Sequence, residues 1–346
     1  PLQQIAWDVM DSEHHRRGQA SRVTAMVAAV GVSALTVVQS RINGQLGKDL
    51  NDGFLAAWIS FGFGLIVITV GVLASARHRA AIGILREATA DKPGRGRLIQ
   101  PWVLLGGIGG ATFVAAQSTT VQYLGVAVFT VSVVAAQNAN SLVVDRLGLG
   151  PAGVQAITSR RVIAAIIATF GVALAVSSRS GTGNFTFWAL AFALFAGLLI
   201  AVQQALNGQV SATSGSPFVA ALGNFIVGFA GLTIAVLAYQ LLSPHEYGTL
   251  PSLLNEPWLY FGGLIGVLFI VVAASVVHTL GVLLFALLSV AGQMGGALLL
   301  DIVVHDPAQP VTWLLVVGVA ITGAAVALAA TAKKSALPKT ATTPRR

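Results

Sequence analysis

The chain contains no cysteine, which removes disulfides and thiolate metal sites from consideration. It is also poor in charge. Asp, Glu, Lys and Arg make up 9% of its 346 residues, where a soluble domain averages about 25%. Only 12 carboxylates are present, mostly outside the apolar runs, and they form no cluster spaced for a metal. There is no Gly-x-x-x-x-Gly-Lys-Ser/Thr, no His-Glu-x-x-His and no Gly-x-Ser-x-Gly. ATP hydrolysis, zinc proteolysis and serine hydrolysis therefore lack their motifs, and we expect neither an enzyme nor a cofactor.

What remains is apolar. Hydrophobic residues are 55% of the chain and its mean hydropathy is +0.80. Water cannot solvate a fold with so little charge, so its surface must face lipid. A membrane helix takes about 20 apolar residues. Ten stretches reach or approach that length: 23–42, 54–76, 101–122, 125–144, 161–178, 185–206, 218–240, 257–279, 281–300 and 311–332. Strands of a membrane barrel would alternate every second residue, whereas these runs are continuous. The expected fold class is an all-α integral membrane protein with ten transmembrane helices.

A net charge of +8 would suggest nucleic acid in a soluble protein; here the positions of the cations give another reading, with no nucleic-acid partner. With ten helices, one side receives Arg16, Arg17 and Arg22, then Arg77, Arg79, Arg86, Lys92, Arg95 and Arg97, then Arg146, Arg160, Arg161 and the five cations of the tail, 17 of the 20 Lys and Arg. The other side keeps Arg41, Lys48 and Arg179. Positive residues stay in the cytoplasm, so both termini are expected there. Residues 1–22 read as a cytoplasmic N-terminal segment before a retained helix, because no small-residue cleavage site is present. Residues 333–346 read as a basic, disordered C-terminal tail.

The chain also says nearly the same thing twice. Gln39, Asn43, Gly44 and Gln45 return as Gln203, Asn207, Gly208 and Gln209, and Phe54, Phe61 and Gly64 return at the same offset as Phe218, Phe225 and Gly228. A second block pairs Pro101-Trp102, Gly106-Gly107, Leu124-Gly125-Val126, Gln137 and Asp145 with Pro257-Trp258, Gly262-Gly263, Leu280-Gly281-Val282, Gln293 and Asp301. The expected units are a first five-helix repeat at 23–180 and a second at 181–332. Five is odd, so the second repeat begins on the opposite side and the two run in inverted orientation.

The Gln-x-x-x-Asn-Gly ending each first helix, the Phe-x6-Phe-x2-Gly of each second and the Pro-Trp…Gly-Gly opening each third resemble the YdcZ-like inner-membrane proteins of the drug/metabolite transporter superfamily. The resemblance covers about 23–332 as two copies of one domain. It implies a bacterial inner-membrane location, ten helices in two inverted halves, a central solute cavity and secondary transport, often export. The small-multidrug-resistance branch carries an acidic residue in its first helix, and this chain does not.

Polar side chains in hydrocarbon are costly unless paired, so those present are site candidates. Gln39 and Asn43 are four apart and share a helix face, as do Gln203 and Asn207; Gln204 lies beside them. Amides donate and accept, which suits a neutral or zwitterionic solute and equally suits capping a helix that breaks at Gly44 or Gly208. Gln137, Asn138 and Asn140 in the fourth helix and Gln293 in the ninth are candidates for the cavity lining. Asp145 and Asp301 end their helices at equivalent repeat positions; they read as interfacial anchors or gate partners at the membrane surface, and are candidates for coupling or gating. His278 is the one histidine in an expected helix and a third candidate for coupling or gating. The expected partners are membrane lipid and a small-molecule solute, with the protein a monomer or homodimer. The leading expectation is a secondary transporter, an exporter of a small polar or amphiphilic metabolite by alternating access. A lipid-directed, flippase-like carrier and a non-transporting scaffold or accessory subunit are the alternatives.

Overall fold

The computed structural model describes residues 2–91, 96–177, 187–304 and 313–330, and among these the regular structure is helical. In chain order the helices are α1 (Leu2–Asp49), α2 (Gly53–Ala74), α3 (Ala76–Thr89), α4 (Gly107–Arg146), α5 (Ser159–Ser177), α6 (Phe187–Ser214), α7 (Pro217–Leu242), α8 (Gly262–Leu280), α9 (Val282–Val304) and α10 (Trp313–Ala330). Short 3-10 turns, Pro101–Gly106 and Pro257–Tyr260, precede α4 and α8. Each starts at the proline of a Pro-Trp pair, where a missing N–H leaves no backbone donor unsatisfied.

Among the described residues, five segments are long and apolar enough to cross a membrane: Ser21–Asp49, Gly53–Ala74, Phe187–Ser214, Pro217–Leu242 and Pro257–Leu280. Their outward faces carry Ile66, Val70, Ile234 and Leu237, each more than half exposed, as expected of surface that meets lipid tails rather than water.

The structure departs from the sequence expectation in three places. The expected helices 101–122 and 125–144 belong to one helical run, α4. Straight, its 40 residues would span about 60 Å, twice the hydrocarbon thickness of about 30 Å. It is not straight. Phe113 and Phe129 have ring centroids 5.9 Å apart, although sixteen residues of straight helix would separate them by about 24 Å. The run doubles back between these two residues, the interval that holds the expected break. In the second half the chain does break, at Gly281, whose φ of 78° suits a residue without a Cβ.

A second departure is α3, within a stretch expected to be a loop. The third concerns the first and sixth helices, which continue through Gly44 to Asp49 and through Gly208 to Ser214. No helix breaks at either glycine, so capping such a break is not what the amides before them do. Inside a packed membrane bundle the neighbouring helices satisfy the space a glycine leaves. Gly208 lies against Val277 and Pro151.

Helices α2 and α7 begin alike. Asp52 caps α2 through the Phe54 and Leu55 N–H groups (2.7 and 3.0 Å), and Ser216, its repeat equivalent, caps α7 through the Val219 N–H at 3.3 Å. The two helices run antiparallel. Phe54 meets Tyr239, Trp58 meets Phe229, and Phe61 meets Phe225 at centroid distances of 5.3, 5.1 and 4.9 Å. Phe61 and Phe225 sit in the central apolar core with Ala57, Ala221, Val114 and Ile270.

Candidate functional site

Close packing around that core exchanges partners between the two repeats. A methyl placed on Gly64 would overlap the Phe225 ring, and one on Gly228 the Phe61 ring. A methyl on Gly107 would strike the Asn224 carbonyl, and one on Gly263 the carbonyl of Ser60, the repeat equivalent of Asn224. Gly266 faces the Gln39 amide and Gly110 the Gln203 amide, so close that a methyl on either glycine would stand 3.1 or 3.0 Å from the Nε2 it faces. Gly292 and Gly296 pack on Val30 and Ala34 of α1, while Gly197 packs on Val133 and the Asn140 amide donates to the Leu198 carbonyl at 2.8 Å. The Gly64, Gly107 and Gly110 contacts are mirrored by those of Gly228, Gly263 and Gly266, and Gly296 on Ala34 by Asn140 on Leu198. Reciprocity of this kind is what a two-fold relation between the repeats would produce. The small residues four apart thus serve contacts within the chain.

A cavity lies where these exchanged contacts meet. Its walls are largely pairs of repeat equivalents: Gln39 with Gln203, Gln137 with Gln293, Phe61 with Phe225 and Phe113 with Phe269. Among the described residues, no Asp, Glu, Lys, Arg or His lines it. The space open to the centre of a water-sized sphere is about 60 Å³, enough for a few waters and well short of the roughly 300–1,000 Å³ of a drug-sized site.

The four cavity glutamines are not equivalent in their bonding. Gln39 donates from Nε2 to the Gly262 carbonyl at 3.0 Å. Gln203 is 4% exposed, and its Oε1 is buried without a partner in the protein. Gln137 is buried and Gln293 partly buried.

The other candidate amides sit around the cavity rather than in its wall. Asn43 donates to Gln117 Oε1 at 3.4 Å, and Gln117 donates to the Ser40 hydroxyl. In the second half this network is rebuilt. Asn207 donates to Asn224 Oδ1 at 2.8 Å, because Ala273 stands where Gln117 would be and Asn224 where Ser60 is. Gln204, the mate of Ser40, is buried with neither amide atom partnered, and so is Asn138. Asn140, through its bond to Leu198, ties α4 to α6.

Asp145 has left the role of a surface anchor. It is 2% exposed, pairs with Arg161, and accepts from the Val282 and Leu283 N–H groups at 3.1 and 3.2 Å. A carboxylate from the first repeat therefore caps the first turn of α9 in the second, where the helix dipole favours negative charge. The Asp301 side chain lies outside the described residues. His278 is exposed on α8 and takes no part in the cavity lining.

These geometries can be set beside known proteins. Residues 24–174 and 188–328 each match the family DMT_YdcZ, described as "Putative inner membrane exporter, YdcZ". The chain belongs to the YdcZ family. The two matches are the two tandem copies of its domain, and the family is one of inner-membrane exporters rather than of enzymes. No curated protein matches this YdcZ-family chain. A crystal structure of a protein 17% identical superposes with a TM-score of 0.60, covering 90% of this chain and 96% of the other. At that identity the likeness is one of fold.

Several residues of this YdcZ-family site escaped the reading for polar candidates. The phenylalanine pairs of the cavity are apolar, so a search for costly polar groups passes over them, although their exact repetition was visible. Arg161 and the two N-cap residues gain significance only with their partners. At one end of α2 and α7, Asp52 Oδ2 meets His245 Nε2 at 3.2 Å; at the other, the Ser216 hydroxyl meets His78 Nδ1 at 2.9 Å. Asp52 and Ser216 are repeat equivalents, so each cap is clasped by a histidine that follows the second helix of the opposite repeat.

Proposed function

We propose that this multi-pass inner-membrane protein is a secondary transporter that exports a small polar or amphiphilic metabolite by alternating access. In this reading it has ten membrane helices in two inverted repeats, 23–180 and 181–332, with both termini in the cytoplasm. The observation that carries it is the central cavity whose walls are matched pairs of repeat equivalents. Two similar halves in opposite orientation can exchange conformations about such a cavity, opening it to one side and then the other. The antiparallel course of α2 and α7 and the reciprocal glycine contacts support the inverted relation. The doubling back of α4 supports counting it as two spans.

Gln39, Gln203, Gln137 and Gln293 bind the solute in this account. Asn43, Asn207 and Asn140 hold the helices that present them. Asp145 acts as a gating residue, because opening the bundle at α9 must disturb the cap it provides. A lipid-directed carrier would place basic residues at its groove, and the described residues of the cavity lining include none. The test is solute flux in proteoliposomes with and without a pH gradient. Saturable flux that falls when Gln203 or Gln39 is replaced supports the proposal. A purified, folded protein that moves no member of a broad metabolite panel contradicts it and favours the accessory-subunit reading.

A further inference from the structure

The cavity's chemistry narrows its solute. We infer that it takes a molecule with no net charge, a flat apolar body and at least one N–H or O–H donor, of the kind a planar carboxamide exemplifies. This rests on the reading of the cavity as the solute site.

The first ground is the lining. With no ionisable side chain among the described residues of its wall, a charged solute entering it would leave water and find no counter-charge there, and burying an unpaired charge is far costlier than burying a neutral polar group. The second is the aromatic content. Four phenylalanines, Phe61, Phe225, Phe113 and Phe269, contribute to the wall, and aromatic rings pack well against flat rings in offset or tilted arrangements. Phenylalanines also attract cations, but that attraction is modest beside the desolvation of a cation with no carboxylate near it.

The third ground is the difference between two equivalent glutamines. Gln39 has its amide nitrogen engaged by the Gly262 carbonyl. Gln203 keeps a buried oxygen with no partner in the protein, and a buried acceptor without a donor is unfavourable until a ligand or water supplies one. The missing group is a donor. Around it, the remaining amides both donate and accept, so a primary carboxamide can satisfy them from either end.

Benzamide, benzoate and benzamidine test this directly. They are flat and nearly equal in size, and at neutral pH they are neutral, anionic and cationic. The full chain in nanodiscs is titrated with tritiated benzamide, and the other two are added as competitors. Benzamide should bind, with benzoate and benzamidine each at least about tenfold weaker. N,N-dimethylbenzamide, which has no N–H, should also be about tenfold weaker, a difference of about 1.4 kcal/mol. Gln203→Met should weaken benzamide by a similar factor with an unchanged thermal midpoint, and Gln203→Glu should move the preference to benzamidine. Equal binding of a charged isostere, no effect of removing the N–H groups, or no benzamide binding would each overturn the inference. The dimethyl comparison uses the unmodified protein, so it stands even if a variant fails to fold. Access of each membrane side to a cavity thiol needs no solute and tests the transport reading separately. Failure with benzamide alone therefore counts only against the solute class.

Discussion

Replacing Asp145 separates three effects that coincide at one carboxylate. Asp145→Ala removes the cap of α9, the charge and the partner of Arg161 together. A lost N-cap costs about 0.5–2 kcal/mol, and removing one partner of a buried ion pair costs about 3–5 kcal/mol. Arg161 is 14% exposed at its side chain, so its head can turn toward water and recover part of the second amount. We therefore expect a loss of about 3–5 kcal/mol for Asp145→Ala. Asp145→Asn keeps an oxygen for the Val282 or Leu283 N–H and should lose about half as much. In the Asp145→Asn background, Arg161→Met should restore stability, because the stranded cation is gone. The assay is denaturant unfolding in mixed micelles, followed by the fluorescence of the six tryptophans and analysed as a double-mutant cycle. A coupling of about 1–3 kcal/mol is expected. Additive losses for the two substitutions would refute the claim that Asp145 and Arg161 act as a unit.

The amides should divide into two groups. Gln203→Ala should lower flux while leaving the unfolding midpoint nearly unchanged, whereas Gln39→Ala and Asn207→Ala, which break buried bonds to the Gly262 carbonyl and to Asn224, should destabilise by about 1–3 kcal/mol. Thermal unfolding beside transport on the same preparations checks this, and equal loss of both properties at all three sites would contradict it. Gly263→Ala should fold poorly, since its methyl would strike backbone atoms, the Ser60 carbonyl and the Gly64 nitrogen; wild-type expression and melting would disprove the close crossing. Reporter fusions at both termini and at residues 215–216 should read cytoplasmic, and a periplasmic signal from 77–100 would break the ten-helix topology.

Much of the fold was legible because it repeats. Asp52 and Ser216, Gly64 and Gly228, and the two Pro-Trp pairs occupy matching places in the sequence and do matching work in the structure. Four of the nine candidate amides reach the cavity wall, and these are two pairs of repeat equivalents. The sequence could not say which amide faces which neighbour. That depends on helix crossings between residues more than a hundred positions apart, as in the bond from Gln39 to Gly262. The divergence of the networks was hidden for the same reason. Gln117 and Ala273 are repeat equivalents, but only the fold reveals that Gln117 serves Asn43 and that Asn207 must turn to Asn224. Gly44 and Gly208 misled because glycine weakens a helix in water, while in the bundle both helices run on through them, and Gly208 admits Val277 and Pro151 as neighbours. Asp145 looked interfacial because it ends a helix beside Arg146, and its true partners lie on α5 and α9.

The central claim is that the cavity opens to the two sides of the membrane in turn, and the absence of native cysteine makes it directly measurable. A single thiol is introduced as Gln137→Cys and labelled in oriented vesicles with a membrane-impermeant maleimide from each side. Two further proteins carry a short cross-link in place of one histidine clasp, between positions 52 and 245 or between 78 and 216. Without a cross-link the thiol should label from both sides. The 52–245 link should leave labelling from one side alone, and the 78–216 link from the other side alone. Labelling from the same side in both linked proteins, or from neither side in any of them, would contradict alternating access about this cavity.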